Sequence, residues 1–348
     1  MSNEEKFKKL ASLSKVLDKA YTDEKNGRIA ENTLVRLGDK PVLHVPCIGT
    51  GLPTFDYDVL QYGGIPRGRI IEIFGPESSG KTTTALHITA QEQKQGGIGA
   101  YIDVEHRLEP LYAKALGVNI DDVIFNQPNS GEEALQTVDK LVESECVSLI
   151  IVDSTAALVP EAELAGEIGD AHVGLQARML SQAMRILTGK CARNKVTVLF
   201  LNQIREKIGV MWGSPETTPG GRALKFYSSV RLSITRKEPI WEGTKENIVG
   251  HIIDLRCVKN GGGIPFRRTE IGLIYPGQGR TAGFDVVSDL ITFANNRGIF
   301  ETKGSWYYIN KERIANGLEA LKKYLRDNPE AYEIVKSAVE TLIKTEGA

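Results

Sequence analysis

Long apolar runs are missing from this chain, and so is any cysteine pattern. No stretch reaches the length that spans a bilayer. The first residues carry Glu4 and Glu5 and no apolar segment, so a secretory leader is not expected there. Cys47, Cys146, Cys191 and Cys257 are scattered without CxxC spacing, which excludes a cysteine metal site or a disulfide framework. They read as reduced thiols of a cytosolic protein. An excess of charge is lacking too, since 43 basic residues face 44 acidic ones. Any binding of nucleic acid must therefore come from a local surface. Internal repeats and low-complexity tracts are also absent. Glycine, by contrast, is plentiful at 35 of 348 residues, which points to many tight turns. The length allows one large core and a smaller domain.

Phe7, Leu10, Leu13, Val16, Leu17 and Ala20 recur at helical spacing across residues 5–21, with lysines between them. A polar stretch from Thr22 to Asn32 follows, and the pattern leaves open whether this helix folds back or docks on another copy. From about residue 40 to 280, apolar runs alternate with helical stretches as in a βαβ protein. Strands are expected at Ile70–Phe74, Gly99–Val104, Ser148–Val152, Val196–Leu201, Val230–Thr235 and Ile271–Tyr275. Most are apolar on both faces, as in a sheet covered by helices. Helices are expected at Thr83–Gln95, Gly131–Glu143 and Leu175–Ala192. Beyond Arg280 the pattern predicts a helix over 283–297, a strand at Ser305–Ile309, and helices at Leu318–Leu325 and Pro329–Lys344. The fold class is α/β with a mostly parallel twisted sheet, an N-terminal helix and a small α/β C-terminal domain. The expected boundaries are 1–38, 39–280 and 281–348.

The densest chemistry lies in Gly75, Pro76, Glu77, Ser78, Ser79, Gly80, Lys81, Thr82 and Thr83. This is GxxxxGK[ST] between an apolar strand and a helix, the context in which the motif has a mechanism. Backbone N–H groups curl round a polyphosphate at the positive end of the new helix. Lys81 reaches the β- and γ-phosphates of ATP, and the Thr82 hydroxyl ligates Mg2+. Three further strands end in polar residues, where such a sheet places its chemistry. Glu105 ends one and is a candidate to polarise the attacking water. Asp153 ends another and is placed to hold Mg2+ through water. Asn202 and Gln203 end a third, where an amide can bond the γ-phosphate and feel its loss.

After Gln203 runs a glycine- and proline-rich stretch to Gly221 with no regular period. A long loop of this kind in a compact domain is usually functional. Met211 and Trp212 are placed to wedge against bases, and Arg205 and Lys207 to meet phosphates. Packing of Trp212 back on the core is the plainer alternative. A second glycine-interrupted segment, Glu161–Gly174, opens the Leu175 helix. Arg178 and Arg185 share one face of that helix, either as phosphate contacts or as surface charges.

These residues resemble the bacterial RecA recombinase family. The likeness is carried by the phosphate loop, by Ile102-Asp-Val-Glu-His106, by Gly169-Asp-Ala-His-Val-Gly-Leu-Gln-Ala-Arg178, by Leu201-Asn-Gln-Ile-Arg-Glu-Lys-Ile-Gly-Val-Met211, and by Pro215-Glu-Thr-Thr-Pro-Gly-Gly-Arg-Ala-Leu-Lys-Phe-Tyr227. The resemblance implies a DNA-dependent ATPase that forms helical filaments on single-stranded DNA. It implies homologous pairing and strand exchange with double-stranded DNA in recombinational repair, in the cytoplasm and at the nucleoid. Co-protease activation of the SOS response through a LexA-type repressor, and a single-stranded-DNA-binding protein as partner, come with it. Glu105 then matches the family's water-activating base, and Gln203 the residue coupling γ-phosphate to the second DNA loop. Tyr112 matches the aromatic that stacks on adenine, and Glu109 an acidic residue near its amino group, where Asp is usual. Segments 165–174 and 204–218 match the two DNA loops, so Gly166, Val173, Gly220 and Gly221 join the candidate DNA-binding residues. Lys225 and Phe226 match subunit-interface residues. The N-terminal helix is implied to dock on the adjacent protomer, and the C-terminal domain to be a gateway for duplex DNA.

The chain departs from the family in places. Two lysines in a V-K-N-K pattern usually reach the neighbour's ATP, whereas here Lys259 is followed by Asn260 and Gly261. Losing one cation weakens stabilisation of phosphoryl charge, so slower or less DNA-stimulated hydrolysis is expected unless Arg267 or Arg268 compensates. Trp212 stands where phenylalanine is common. The strongly acidic C-terminal tail of many members is not seen, which predicts easier duplex binding. Val42–Tyr62 is unusual for the family. A ring-forming helicase-type ATPase and an ATP-binding filament protein with weak hydrolysis are the rival readings.

Overall fold

The computed structural model describes residues 1–22, 33–34, 45–167, 172, 174–206, 216–243, 247–277, 279–309 and 311–346. It divides into two compact units, Met1–Val45 and Pro46–Ala348. In the first, helix α1 spans Asn3–Tyr21. Ser2 starts it with a capping box, its hydroxyl taking the Glu5 N–H while the Glu5 carboxylate takes the Ser2 N–H. Asp18 and Ser14 of the same helix accept the backbone N–H groups of Thr33 and Leu34.

In the second unit a short pair, β1 (Cys47–Ile48) and β2 (Ile65–Pro66), flanks a π-helical turn over Thr54–Val59. Then come β3 (Ile70–Gly75), α2 (Lys81–Lys94), β4 (Gly99–Asp103), α3 (Pro110–Ala115), β5 (Val123–Asn126), α4 (Gly131–Ser144) and β6 (Leu149–Asp153). They are followed by α5 (Glu161–Leu164), α6 (Leu175–Asn194), β7 (Thr197–Gln203), β8 (Arg205–Glu206), β9 (Glu216–Thr217) and α7 (Ala223–Tyr227). The long strands β10 (Val230–Glu242) and β11 (Asn247–Asn260), then β12 (Arg268–Ile274) and β13 (Gly283–Phe284), complete the main sheet.

That sheet has nine strands in the order β13-β12-β11-β10-β3-β7-β6-β4-β5. The pairs from β10 to β5 are parallel, and those from β10 to β13 are antiparallel. Period-two alternation splits the central strands between two cores. Ile71, Ile73, Tyr101, Ile151, Leu199 and Leu201 pack with Leu86 and Ile88 of α2. Ile70, Ile102, Ile150, Val152, Val198 and Phe200 pack with Val138 of α4 and Leu187 of α6. Each fully buried side chain of this size contributes about 1.5–3 kcal/mol. The mostly parallel α/β sheet expected from the sequence is the one found.

Three differences from the sequence reading have physical causes. Strand β10 runs seven residues past Thr235 and returns as β11. A register shift between Arg236 and Pro239 admits the proline, and the outer end of this ribbon is largely exposed, apolar residues included, which hides its period. The strand β5 at the sheet edge is only four residues long, with half-exposed Ile124 and Phe125, so its apolar run is too short to announce a strand. Beyond β13, helix α8 (Val286–Asn296) precedes not one strand but three, β14 (Glu301–Lys303), β15 (Trp306–Ile309) and β16 (Glu312–Asn316). Helices α9 (Leu318–Asp327) and α10 (Pro329–Glu346) close this region over Leu290, Phe293, Phe300, Leu321 and Leu325. The two outer strands escape a sequence reading because β14 is wholly exposed and β16 mostly polar.

Candidate functional site

The phosphate loop is shaped by close packing. A Cβ at Gly75 would lie 2.1 Å from the Ile234 carbonyl oxygen of β10, so only glycine lets β3 end there. The loop then turns into α2, whose first N–H groups face the cavity with the positive end of the helix dipole. Lys81 Nζ donates to the carbonyls of Gly75 at 3.0 Å and Pro76 at 2.6 Å, lying along its own loop. Burial pushes the Lys81 pKa down, against the pull of the Asp153, Glu105 and Glu77 charges. The Ser79 hydroxyl is buried within the loop without a hydrogen-bond partner among the described residues, so an anion bound in the loop would satisfy it. A cavity of about 370 Å3 opens beside the loop, with Tyr112, Arg236, His251 and Tyr275 on its far walls. The Tyr112 hydroxyl is 2.7 Å from the Thr83 hydroxyl. Glu109 caps α3, accepting the Leu111 N–H at 3.4 Å.

Strand order brings the other polar ends alongside, because β7, β6 and β4 lie in succession next to β3. The Thr82 hydroxyl donates to Asp153 Oδ2 at 2.9 Å. The carbonyl of Asp153 accepts the N–H groups of Val104 at 2.8 Å and Glu105 at 3.2 Å, fastening the end of β4 to that of β6. Glu105 Oε1 accepts the Gln203 amide at 3.1 Å and the Ser154 hydroxyl, while Arg107 approaches Oε2 at 3.7 Å. Burial pushes the Asp153 pKa up, and hydrogen bonds from Tyr101 and Thr82 oppose this. A threonine hydroxyl and a carboxylate are hard oxygen donors of the kind Mg2+ takes, so the residues present fit that ion.

Of the two amides ending β7, only Gln203 joins this cluster. Asn202 is fully buried and turned the other way, donating to Glu72 Oε1 at 2.9 Å and to the Pro219 carbonyl at 3.3 Å. Tyr101 was missed by the sequence reading, although a tyrosine inside a covered strand signals a hydroxyl that needs a partner. Its hydroxyl donates to Asp153 Oδ2 at 2.6 Å.

The stretch after Gln203 is not structureless at its base. β8 and β9 pair antiparallel, Arg205 opposite Thr217 and Glu206 opposite Glu216. Lys207, Met211 and Trp212 lie outside the described residues, as does Val173. Gly220 holds φ +83 and packs so tightly on α6 that a Cβ would meet Leu180 at 2.4 Å, and Gly221 follows it. Gly166, Arg178, Arg185 and Arg205 are exposed. Lys225 and Phe226 lie on α7, with Phe226 71% exposed. Lys259 Nζ reaches the same helix, donating to the carbonyls of Lys225 at 3.0 Å and Phe226 at 2.7 Å. Gly261 donates its N–H to the Ser229 carbonyl, to which an added Cβ would come within 3.1 Å.

With this geometry in place, comparison with known proteins is specific. A family model described as the RecA N-terminal domain matches residues 15–280, and one described as the RecA C-terminal domain matches residues 288–344. Protein RecA of Lactiplantibacillus pentosus is 49% identical over 316 residues, 91% of this chain and 81% of that protein. Protein RecA of Lactobacillus johnsonii is 46% identical over 339 residues, 97% of this chain and 90% of the relative. Protein RecA of Clostridium novyi is 47% identical over 327 residues, 94% and 89% of the two chains.

Proposed function

The chain belongs to the RecA family, and from that premise we propose that it is a DNA-dependent ATPase and recombinase. It assembles head-to-tail on single-stranded DNA and exchanges strands with homologous duplex. Such heterologous contacts do not close, and so they extend into a helical filament. Residues 1–38 serve protomer docking, 39–280 form the ATPase core, and 281–348 receive duplex DNA.

The observation that carries this reading is the single edge on which Lys81, Thr82, Asp153, Glu105 and Gln203 meet. Lys81 leaves its loop carbonyls to bind the β- and γ-phosphates. Thr82 and Asp153 would hold Mg2+, which would supply charge neutralisation at the phosphoryl group. Glu105 orients the attacking water and takes its proton. Gln203 shares Glu105 with Ser154 and sits directly before the paired strands β8 and β9, so a contact it gains or loses with γ-phosphate moves that pair. Glu109 and Tyr112 receive the base. Gly166, Val173, Arg178, Arg185, Arg205, Lys207, Met211, Trp212 and Gly221 face DNA, with buried Gly220 setting the turn that leads to Gly221, while base pairing supplies sequence specificity. Lys259, Lys225 and Phe226 face the neighbouring protomer.

A second reading, an ATP-gated filament with weak turnover, draws on Gly261. No side chain extends there, and Lys259 rests on the carbonyls of α7. The deciding experiment is ATP hydrolysis at matched protein concentration, with and without single-stranded DNA. Strong stimulation is expected. DNA binding without stimulation would overturn the ATPase reading in favour of the gated filament.

A further inference from the structure

Tyr101 belongs to no motif, yet it sits at the centre of the site. It is 2% exposed, on β4, with its ring in the core shared by β3, β6, β7 and α2. A phenol buried so deeply needs a hydrogen-bond acceptor. The acceptor is Asp153 Oδ2, at 2.6 Å, the same oxygen that takes the Thr82 hydroxyl at 2.9 Å. A carboxylate turns readily about its last side-chain bond, where the energy wells are broad. Two hydroxyl donors from different elements, one on β4 and one on α2, remove that freedom. Phenylalanine would fill the same space and leave the carboxylate held by Thr82 alone.

We propose that Tyr101 is a positioning residue for the divalent cation, acting through Asp153. Resting on the nucleotide-site reading above, it adds a specific role to a residue outside the phosphate loop. By taking Oδ2 together with Thr82, Tyr101 fixes the carboxylate plane and presents Oδ1 to the cation's water. Tyr101 touches neither nucleotide nor reacting atoms, so its effect shows in metal dependence and not in metal-free nucleotide affinity.

The test uses the full chain and a fluorescent ATP analogue, titrated with Mg2+ and separately in EDTA. Tyr101→Phe is expected to raise the Mg2+ midpoint for nucleotide binding about tenfold, the scale of one hydrogen bond to a charged group. Affinity in EDTA should match that of the parent, and the melting curve without metal should fall by only a few degrees, as the loss of one buried hydrogen bond requires. In an Asp153→Asn background, Tyr101→Phe should add nothing, because the two act through one contact. An unchanged Mg2+ midpoint would overturn the proposal. So would an equal loss in Mg2+ and in EDTA, which marks a role in packing alone. If the parent itself bound nucleotide without regard to Mg2+, the nucleotide-site reading would fall first, and this inference with it.

Discussion

At Glu105 a single carboxylate oxygen takes both the Gln203 amide and the Ser154 hydroxyl, while the other oxygen faces Arg107. The carboxylate is thus held by one edge, with its other oxygen beside the exposed Arg107 side chain. A general base needs this combination of fixed position and an open lone pair. Glu105→Gln keeps the shape and the hydrogen bonds that Oε1 accepts, but removes the basic lone pair. Single-turnover hydrolysis should fall by about two to four orders of magnitude, the usual worth of a positioned base. Nucleotide and DNA affinities should stay within a few-fold of the parent. A Gln variant that hydrolyses ATP at the parent rate would assign the water to another group.

Strand β7 shows what one element does with two neighbouring amides. Gln203 faces the site, and Asn202 faces the interior, where Glu72 of β3 also receives Arg231 of β10 at 2.5 Å. Glu72 and Asn202 are both fully buried, and the Arg231 guanidinium also lies 4.6 Å from the centre of the Phe74 ring. One carboxylate therefore ties together three adjacent strands just beneath the phosphate loop. Removing one partner of a buried ion pair leaves the other charge stranded, at a cost of about 3–5 kcal/mol. Glu72→Ala should accordingly lower the melting temperature strongly, and Glu72→Gln less so because it keeps an acceptor for Asn202. Equal melting temperatures for Glu72→Ala and the parent would remove this network from the account of stability. The contrast between the two amides also marks how far the sequence can be read. Apolar runs ending in Glu105, Asp153 and Gln203 announce the site because burial and period suffice to place a strand and its end. The partners of Glu72 and of Tyr101 stay hidden, since Arg231 lies 159 residues from Glu72 and Asp153 lies 52 from Tyr101. Such pairings depend on strand order, which local pattern does not encode. The β10–β11 ribbon and the strands β14 and β16 escape for the opposite reason, too little burial to leave a period.

On the scale of the whole Pro46–Ala348 unit, the C-terminal helices are joined to the sheet through the turn over Thr54–Val59. Thr54 gives its N–H and hydroxyl to Asp289, Asp58 pairs with Arg297 at 2.6 Å, and Tyr57 packs on Phe293. Next to this joint Asp56 accepts the N–H and hydroxyl of Thr50 at 2.9 and 2.7 Å. Burial pushes Asp56 up to about 7 and Asp289 up to about 6; the Asp289 charge also raises Asp56, and the Asp58 and Asp285 charges raise Asp289. A carboxyl whose pKa is higher folded than unfolded binds more protons in the folded state. Its stabilisation is present at low pH and is lost as pH rises through the folded value. His87, whose ring nitrogen meets the Thr50 carbonyl at 2.8 Å, works in the opposite sense. Burial pushes it down to about 4 from 6.5, so folding resists its protonation and stability declines as pH falls below 6.5. Below pH 6.5 the two trends oppose each other, because the buried carboxyls go on binding protons that the unfolded chain releases while buried His87 resists its own. Between pH 8 and 6.5 the melting temperature should rise by a few degrees, since ionised Asp56 alone costs about 1 kcal/mol over that span. Asp56→Asn removes the ionisable group while keeping an acceptor for the Thr50 N–H, so its melting temperature should be nearly flat from pH 6.5 to 8. Below pH 6.5 the variant should lose stability relative to the parent, because only the parent keeps the protonated Asp56 that offsets the His87 penalty. A variant that kept the parent's full alkaline slope would place the titrating group elsewhere than in this joint.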